Sequence, residues 1–269
     1  MKNIKLIQVL LIVLGSIILN SCEEVIEIDL NSSNPKLVAE GQILKDSTVW
    51  IKLSYTSDYF TNEKAIFEEN ASIVITDNDN NTEVLNYVGD GIYKGENLIG
   101  EVGKNYRMNI STEKGDYTAS SNLMPSSEIY DIIVSESEMQ RPGQKETKYS
   151  LEIKFKHNPA TEDYFLLKFY INNKLNSYAL VDDKVFVVGD TIQYPVIKKS
   201  FFKNDRVTVK IYSVDKEAFK YHKQINDAAS KGGRPGSSST PYNPASNFGI
   251  DVLGYFTAWS YVSDSVIIE

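Results

Sequence analysis

The stretch VWIKLSYT, Val49 to Thr56, decides the fold class. Val49, Ile51, Leu53 and Tyr55 alternate with Trp50, Lys52, Ser54 and Thr56. A period of two puts each set on its own face of an extended chain, which is the pattern of a half-buried antiparallel strand. The same alternation returns at Ile73 and Ile75, and again at Tyr106, Met108 and Ile110. Between these runs lie Asp77-Asn78-Asp79-Asn80-Asn81, Gly89-Asp90-Gly91 and Lys114-Gly115-Asp116. Such clusters carry turn chemistry, and short strands parted by turns at this spacing predict a β-sandwich. It is placed at residues 35–122.

Leu123-Met124-Pro125-Ser126-Ser127 reads as a short linker, because Pro125 cannot donate to a strand ladder. A second strand-rich region is expected over residues 128–269. Its clearest strands are Tyr149–His157, Tyr164–Ile171, Lys184–Val188, Val196–Phe202 and Val207–Val214. One segment departs from period two. Asp215 is suited to cap a helix over residues 216–229, with Ala218, Tyr221, Ile225 and Ala228 on its inner face and Lys220 and Lys223 outside. Beyond it runs the flexible Ser230 to Ser239, rich in Gly and Ser. The expected fold is therefore all-β: two tandem antiparallel β-sandwich domains of immunoglobulin-like or transthyretin-like type. The second carries one helix and a long Gly/Ser-rich loop.

The N-terminus has a different character. Lys2 and Lys5 precede an apolar run from Leu6 to Leu19, interrupted by Gln8, Gly15 and Ser16. That run falls short of the ~20 apolar residues of a spanning helix and matches a secretory signal, here residues 1–21. Leu19-Asn20-Ser21-Cys22 resembles a bacterial lipobox, in which the Cys22 thiol is lipidated and the chain cut before it. Cys22 is the sole cysteine, so internal disulfides are excluded and the domains must hold by packed cores. Losing Lys2 and Lys5 takes the net charge from −8 to −10. An acidic chain is unsuited to nucleic acid or anionic lipid surfaces, so attachment to a membrane is expected through acyl chains on Cys22. Residues 22–34 form the expected acidic tether.

Several chemistries fail on spacing. Asp77, Asp79 and Asn81 imitate the start of a calcium loop, but Thr82 and Val88 stand where it needs Gly and Glu, so a hairpin turn is the better reading. Gly89, Gly91 and Gly95 lack dinucleotide-binding spacing. His157 and His222 are the two histidines, with no HExxH pair for zinc and no Gly-x-Ser-x-Gly elbow for a serine triad. No metal, cofactor or catalytic residue is assigned. The late aromatics Tyr242, Tyr255, Phe256, Trp259 and Tyr261 stand out. They suit either cross-strand core pairs or a docking surface. Tyr242, Asn243, Asn247, Tyr255 and Trp259 are the candidate binding residues.

Val25-Ile26-Glu27-Ile28-Asp29-Leu30 with Pro35-Lys36-Leu37-Val38-Ala39-Glu40-Gly41, and later Pro241-Tyr242-Asn243-Pro244 with Asn247 and Gly254-Tyr255-Phe256, resemble the two ends of the DUF4249 lipoproteins of Bacteroidota. The resemblance implies an outer-membrane lipoprotein encoded with TonB-dependent, SusC-like receptors, and it transfers no catalytic residue. Glu23 and Glu24 after Cys22 resemble the acidic signal that sends such lipoproteins to the cell surface. Asp46-Ser47-Thr48, Asp190-Thr191-Ile192 and Asp264-Ser265-Val266 resemble short O-glycosylation triplets of that phylum. The expected function is non-enzymatic: a surface lipoprotein that partners a TonB-dependent receptor in capture. The alternatives are a stand-alone glycan or peptide binder and a hydrolase built on a carboxylate pair.

Overall fold

The computed structural model describes residues 34–57, 65–141, 144–231 and 242–269. The signal segment, Cys22, Glu23, Glu24, most of the tether and the Gly/Ser-rich loop lie outside the described residues. Residues 35–269 form one compact unit.

The N-terminal half contributes β1 (Leu37–Leu44), β2 (Thr48–Tyr55), β3 (Ser72–Asp77), β4 (Thr82–Val84), β5 (Asn86–Gly89), β6 (Ile92–Ile99), β7 (Asn105–Thr112) and β8 (Gly115–Asn122). The C-terminal half contributes β9 (Ile129–Arg141), β10 (Gln144–Lys156), β11 (Tyr164–Ile171), β12 (Lys174–Asp182), β13 (Val187–Val188), β14 (Thr191–Phe201), β15 (Arg206–Val214), helix α1 (Lys216–Lys231) and β16 (Val252–Ile267). They assemble into one eight-stranded sheet, ordered β12-β11-β15-β16-β1-β2-β6-β5, and two four-stranded sheets, β4-β3-β7-β8 and β13-β14-β10-β9.

Alternation does what period two requires. In β2, Val49, Ile51 and Leu53 are fully buried, whereas Trp50, Lys52 and Ser54 are part-exposed. The first core packs Ile43, Val49 and Ile51 from the long sheet against Ile73, Tyr106 and Met108 from β3 and β7. The second packs Leu167, Val209 and Ile211 from the far end of the same sheet against Ile153, Phe155 and Ile192 from β10 and β14. The protein is therefore all-β, two sandwiches that share one continuous sheet.

The join is β16. Residues 252–259 run parallel to β1, with Glu40 opposite Tyr255 and Leu44 opposite Trp259. Residues 260–267 run antiparallel to β15, with Tyr212 opposite Tyr261. The expected boundaries at 122 and 128 thus need correction. The first sandwich is not closed by residue 122, because Phe248, Val252, Phe256 and Ala258 belong to its core. The two strands expected at Gly254–Tyr261 and Ser265–Ile268 are one. Pro125 does mark a break in the ladders, but the segment is pinned: Leu123 is buried, its N–H bonds the Lys104 carbonyl (2.9 Å), and the Met124 carbonyl accepts the Ser260 hydroxyl (2.9 Å).

A strand that changes partner midway exposes backbone groups that no neighbouring strand can meet, and buried N–H groups must be satisfied. Side chains supply them here. Asn247 accepts the Phe256 N–H (3.0 Å) and donates to the Phe256 carbonyl (2.8 Å) and the Ser120 carbonyl (3.1 Å). The Ser121 hydroxyl accepts the Ala258 N–H (2.9 Å) and donates to the Asp215 carboxylate (2.7 Å). Gly254, at φ +88°, lets the strand lie close to β1; a Cβ there would overlap the Ala39 carbonyl oxygen.

Asp215 also caps α1 as expected, accepting the Ala218 N–H (2.7 Å), while its other oxygen takes the Asn122 N–H (2.9 Å). One carboxylate thereby fixes the helix start to the first sandwich. Asp77–Asn81 is a hairpin turn: Asp77 accepts the N–H groups of Asp79 and Asn81 (both 2.9 Å) and pairs with Lys104 (2.9 Å). Burial pushes the Asp77 carboxyl up, but the hydrogen bonds from Asn81 and Lys104 outweigh it and hold it at about 2.

Replacing Asn247 by Ala leaves the Phe256 N–H and carbonyl without protein partners, which costs about 2 kcal/mol by the usual penalty for orphaned buried groups. Denaturant unfolding should show that loss for Asn247→Ala. The neighbouring exposed Asn243→Ala should stay within about 0.5 kcal/mol of the parent. Equal effects would show that Asn247 does not hold the strand.

Candidate functional site

The outer face of the shared sheet carries the most distinctive chemistry. In β11 the residues Leu167 and Phe169 point into the second core, so Leu166, Lys168 and Tyr170 point out. In β15 Val209 and Ile211 point in, so Thr208, Lys210 and Tyr212 point out. The ladder sets Lys168 directly opposite Lys210, and β16 adds Tyr261 opposite Tyr212 and Ser263 opposite Lys210.

The result is a cationic and aromatic platform. The Lys168 ammonium lies 4.8 Å from the centre of the Tyr212 ring and 5.4 Å from that of Trp259. The Lys210 ammonium sits between the rings of Tyr170 (5.5 Å) and Tyr261 (5.2 Å). These are cation–π distances, and the electron-rich ring faces hold both charges in place. Tyr212 in turn packs on Trp259 (4.9 Å) and Tyr261 (5.2 Å).

Helix α1 closes one end. Tyr221 stacks on Tyr255 at 4.6 Å, and Phe219 packs on Tyr164 at 5.0 Å. His222 lies almost parallel to Trp259, with ring centres 6.1 Å apart. The inner face of the helix therefore includes Phe219 and His222 besides the expected Ala218 and Tyr221.

Burial sets the electrostatics. It lowers the Lys168 ammonium below its ordinary range, with the adjacent Lys210 adding to the effect. It pushes the Tyr212 hydroxyl up to about 12, helped by Tyr170 and Tyr261. It pulls His222 down to about 4, with Lys168 contributing, so the ring beside the lysine is neutral at physiological pH.

The candidate residues from the sequence divide. Tyr242 and Asn243 are exposed, and the Tyr242 hydroxyl donates to the Gln224 carbonyl of the helix (3.3 Å). Asn247 is structural, as described above. Tyr255 and Trp259 are 7% and 8% exposed, packed between strand and helix, so their expectation as open docking residues is corrected. They are the floor of the platform rather than its surface. Tyr261, at 42%, is the exposed aromatic of that strand. The reason is that α1 covers β16 up to Trp259 and leaves Tyr261 clear.

Lys168, Tyr170, Lys210 and Tyr212 were not singled out from the sequence. A signal was there: Lys168-Phe169-Tyr170 and Lys210-Ile211-Tyr212 repeat one pattern in two expected strands. A repeated Lys-x-Tyr on paired strands puts two cations and two rings on one face.

A second feature is a cleft of about 510 Å³ beneath Met124–Glu128, lined also by Lys156, Asn158, Asp163 and Tyr164. His157 and Ser213 form part of its wall. His157 is anchored through Nε2 to the Gly189 carbonyl (3.1 Å). Among the described residues no group of three His, Cys, Asp or Glu is placed to hold a metal ion.

The family model described as "Domain of unknown function (DUF4249)" matches residues 23–265. No curated protein matches the chain. Among solved structures, the two fibronectin type-III domain segment of chicken tenascin is similar at 15% identity, covering 68% of this chain and 92% of that one. The TM-score is 0.22, so the overlay adds nothing to the architecture described above.

His222 generates a pH prediction. Above pH 6.5 the ring is neutral folded and unfolded and contributes no slope. Between 6.5 and about 4 the unfolded chain binds a proton that the folded site refuses. Stability then falls by about 1.4 kcal/mol per pH unit as pH drops. Between pH 7 and pH 4.5, the parent should lose about 2 kcal/mol more than His222→Phe in denaturant titrations. Equal losses would mean that the site accepts the charged ring.

Proposed function

We propose, for a chain that belongs to the DUF4249 family, that it is a non-enzymatic capture protein held at the outer membrane by acyl chains on Cys22. It works beside a TonB-dependent receptor, and the outer face of the shared sheet is its capture surface. The observation that carries the reading is that sheet: the row of Tyr170, Lys210 and Tyr261 is borne by paired strands rather than by loops. A site on strands is positioned by the ladders themselves, which suits recognition with little loss of conformational freedom.

The address rests on Leu19-Asn20-Ser21-Cys22, and the outward-facing orientation on Glu23 and Glu24. The tether of residues 22–34 provides reach between the lipid and the folded unit. The receptor rests on the resemblance at the two ends of the chain. A stand-alone surface binder is the second reading, favoured by the open ring of Tyr261 beside the Lys210 ammonium.

Outer-membrane fractionation and affinity purification from the native host test this directly. The parent chain should sediment with outer membranes, be cleaved by protease added to intact cells, and co-purify with a TonB-dependent receptor identified by mass spectrometry. Cys22→Ala should appear in the soluble fraction. Retention of Cys22→Ala in the membrane would overturn the anchor. Purification without a receptor would overturn the partnership.

A further inference from the structure

We propose that Lys168 and Lys210 form the acid-reading centre of a saccharide site, whose ligand class is a glycan bearing uronic acid. This deepens the capture reading above and rests on it.

The first observation is charge. The two lysines face each other across one ladder, in a chain of net charge −8. Among the described residues neither has a carboxylate at ion-pair distance. Other lysines of the chain do: Lys104 pairs with Asp77, Lys216 with Glu162 and Lys220 with Glu217. Like charges directly opposite in a sheet repel, and burial around Lys168 sharpens that repulsion. A ligand carboxylate set over the pair would relieve it, because charge-assisted hydrogen bonds to lysine are strong where water is partly excluded.

The second observation is the rings. Tyr170 is half-buried and Tyr261 is 42% exposed, one on each side of the Lys210 ammonium. Tyr212 and Trp259 lie beneath Lys168 as a packed floor. An inorganic anion needs the lysines and makes no use of flanking rings. A ligand with a flat apolar face does.

The third observation is hydroxyl groups. Thr208, Ser263 and Ser265 lie on the same face, with Thr208 opposite Tyr170 and Ser263 opposite Lys210. They offer donors and acceptors at the edge of the ring row. A flat face, several hydroxyls and a carboxylate occur together in a uronic acid residue. Nucleic acid shares the anion and the stacking, but its phosphate, hydroxyls and flat base are spread over separate groups. A uronic acid carries its anion, hydroxyls and flat face on one ring, matching Lys168, Lys210 and Ser263 on three adjacent strands.

The test is calorimetric titration of the full chain in detergent with tetragalacturonate, compared with a neutral galactose tetramer and with acetate. Saturable binding of tetragalacturonate is expected, with the neutral tetramer at least tenfold weaker. Lys168→Met and Lys210→Met keep the apolar stem and remove the charge; each should weaken tetragalacturonate at least tenfold, with an unchanged melting temperature. Tyr261→Ala should weaken both sugars. No saturable binding of tetragalacturonate, equal binding of the neutral tetramer, competition by equimolar acetate, or binding unaffected by both lysine variants would each overturn the proposal. Receptor co-purification separates the two levels. A chain that brings down its receptor yet binds no uronate has the wrong ligand class and a correct capture role. A chain that does neither has lost both.

Discussion

The backbone of β16 is the constraint on which the rest depends. Its first half adds a parallel strand to the first sandwich, and its second half pairs antiparallel in the second. At the changeover the strand leaves N–H and C=O groups that no neighbouring strand meets. Asn247 and Ser121 meet them, and Ser121 is held in turn by Asp215. Because Asp215 also caps α1, the satisfaction of one strand fixes where the helix lies. The helix then covers Tyr255 and Trp259 and stops short of Tyr261. The boundary between packed floor and open platform is therefore set by hydrogen bonds more than 90 residues apart in sequence.

This geometry links the fold to the proposed function. The proposed capture needs a surface that holds its shape. Ladders on both sides of β15 provide that, and the rings of Tyr212 and Trp259, packed beneath Lys168, keep its ammonium at a fixed height. Neutral His222 against the Trp259 ring adds no charge of its own. The two lysines consequently carry the local charge at that point of an acidic molecule, and they carry it within a framework of rings rather than on mobile surface stems.

Much of the architecture was legible where a signal was local, although the strand expected over Lys184–Val188 is confined to Val187–Val188. Alternation at Val49–Thr56 gave a strand with three fully buried residues, and Tyr164–Ile171 was read to its ends. Asp215 as a cap and α1 from Lys216 followed from capping and helical spacing. What could not be read was non-local. Nothing in Gly254–Tyr261 states that its first part completes a sandwich begun at Leu37, since parallel pairing with β1 leaves no turn between the partners. β12 was missed because its burial does not alternate, and β9 because a long ribbon with many polar residues has no clear period. Of the candidate site, the aromatic strand was legible but not which of its outward rings are covered, because burial of Tyr255 and Trp259 depends on where the helix docks. Lys168 and Lys210 become a pair through ladder register, which the repeated Lys-x-Tyr pattern hints at and only the fold brings together.

The central claim is that β16 makes two sandwiches into one cooperative body. Differential scanning calorimetry of the full chain measures it most directly. A single transition is predicted, with calorimetric and van't Hoff enthalpies equal, because neither core is complete without β16. Two separable transitions, one for each sandwich, would contradict the account.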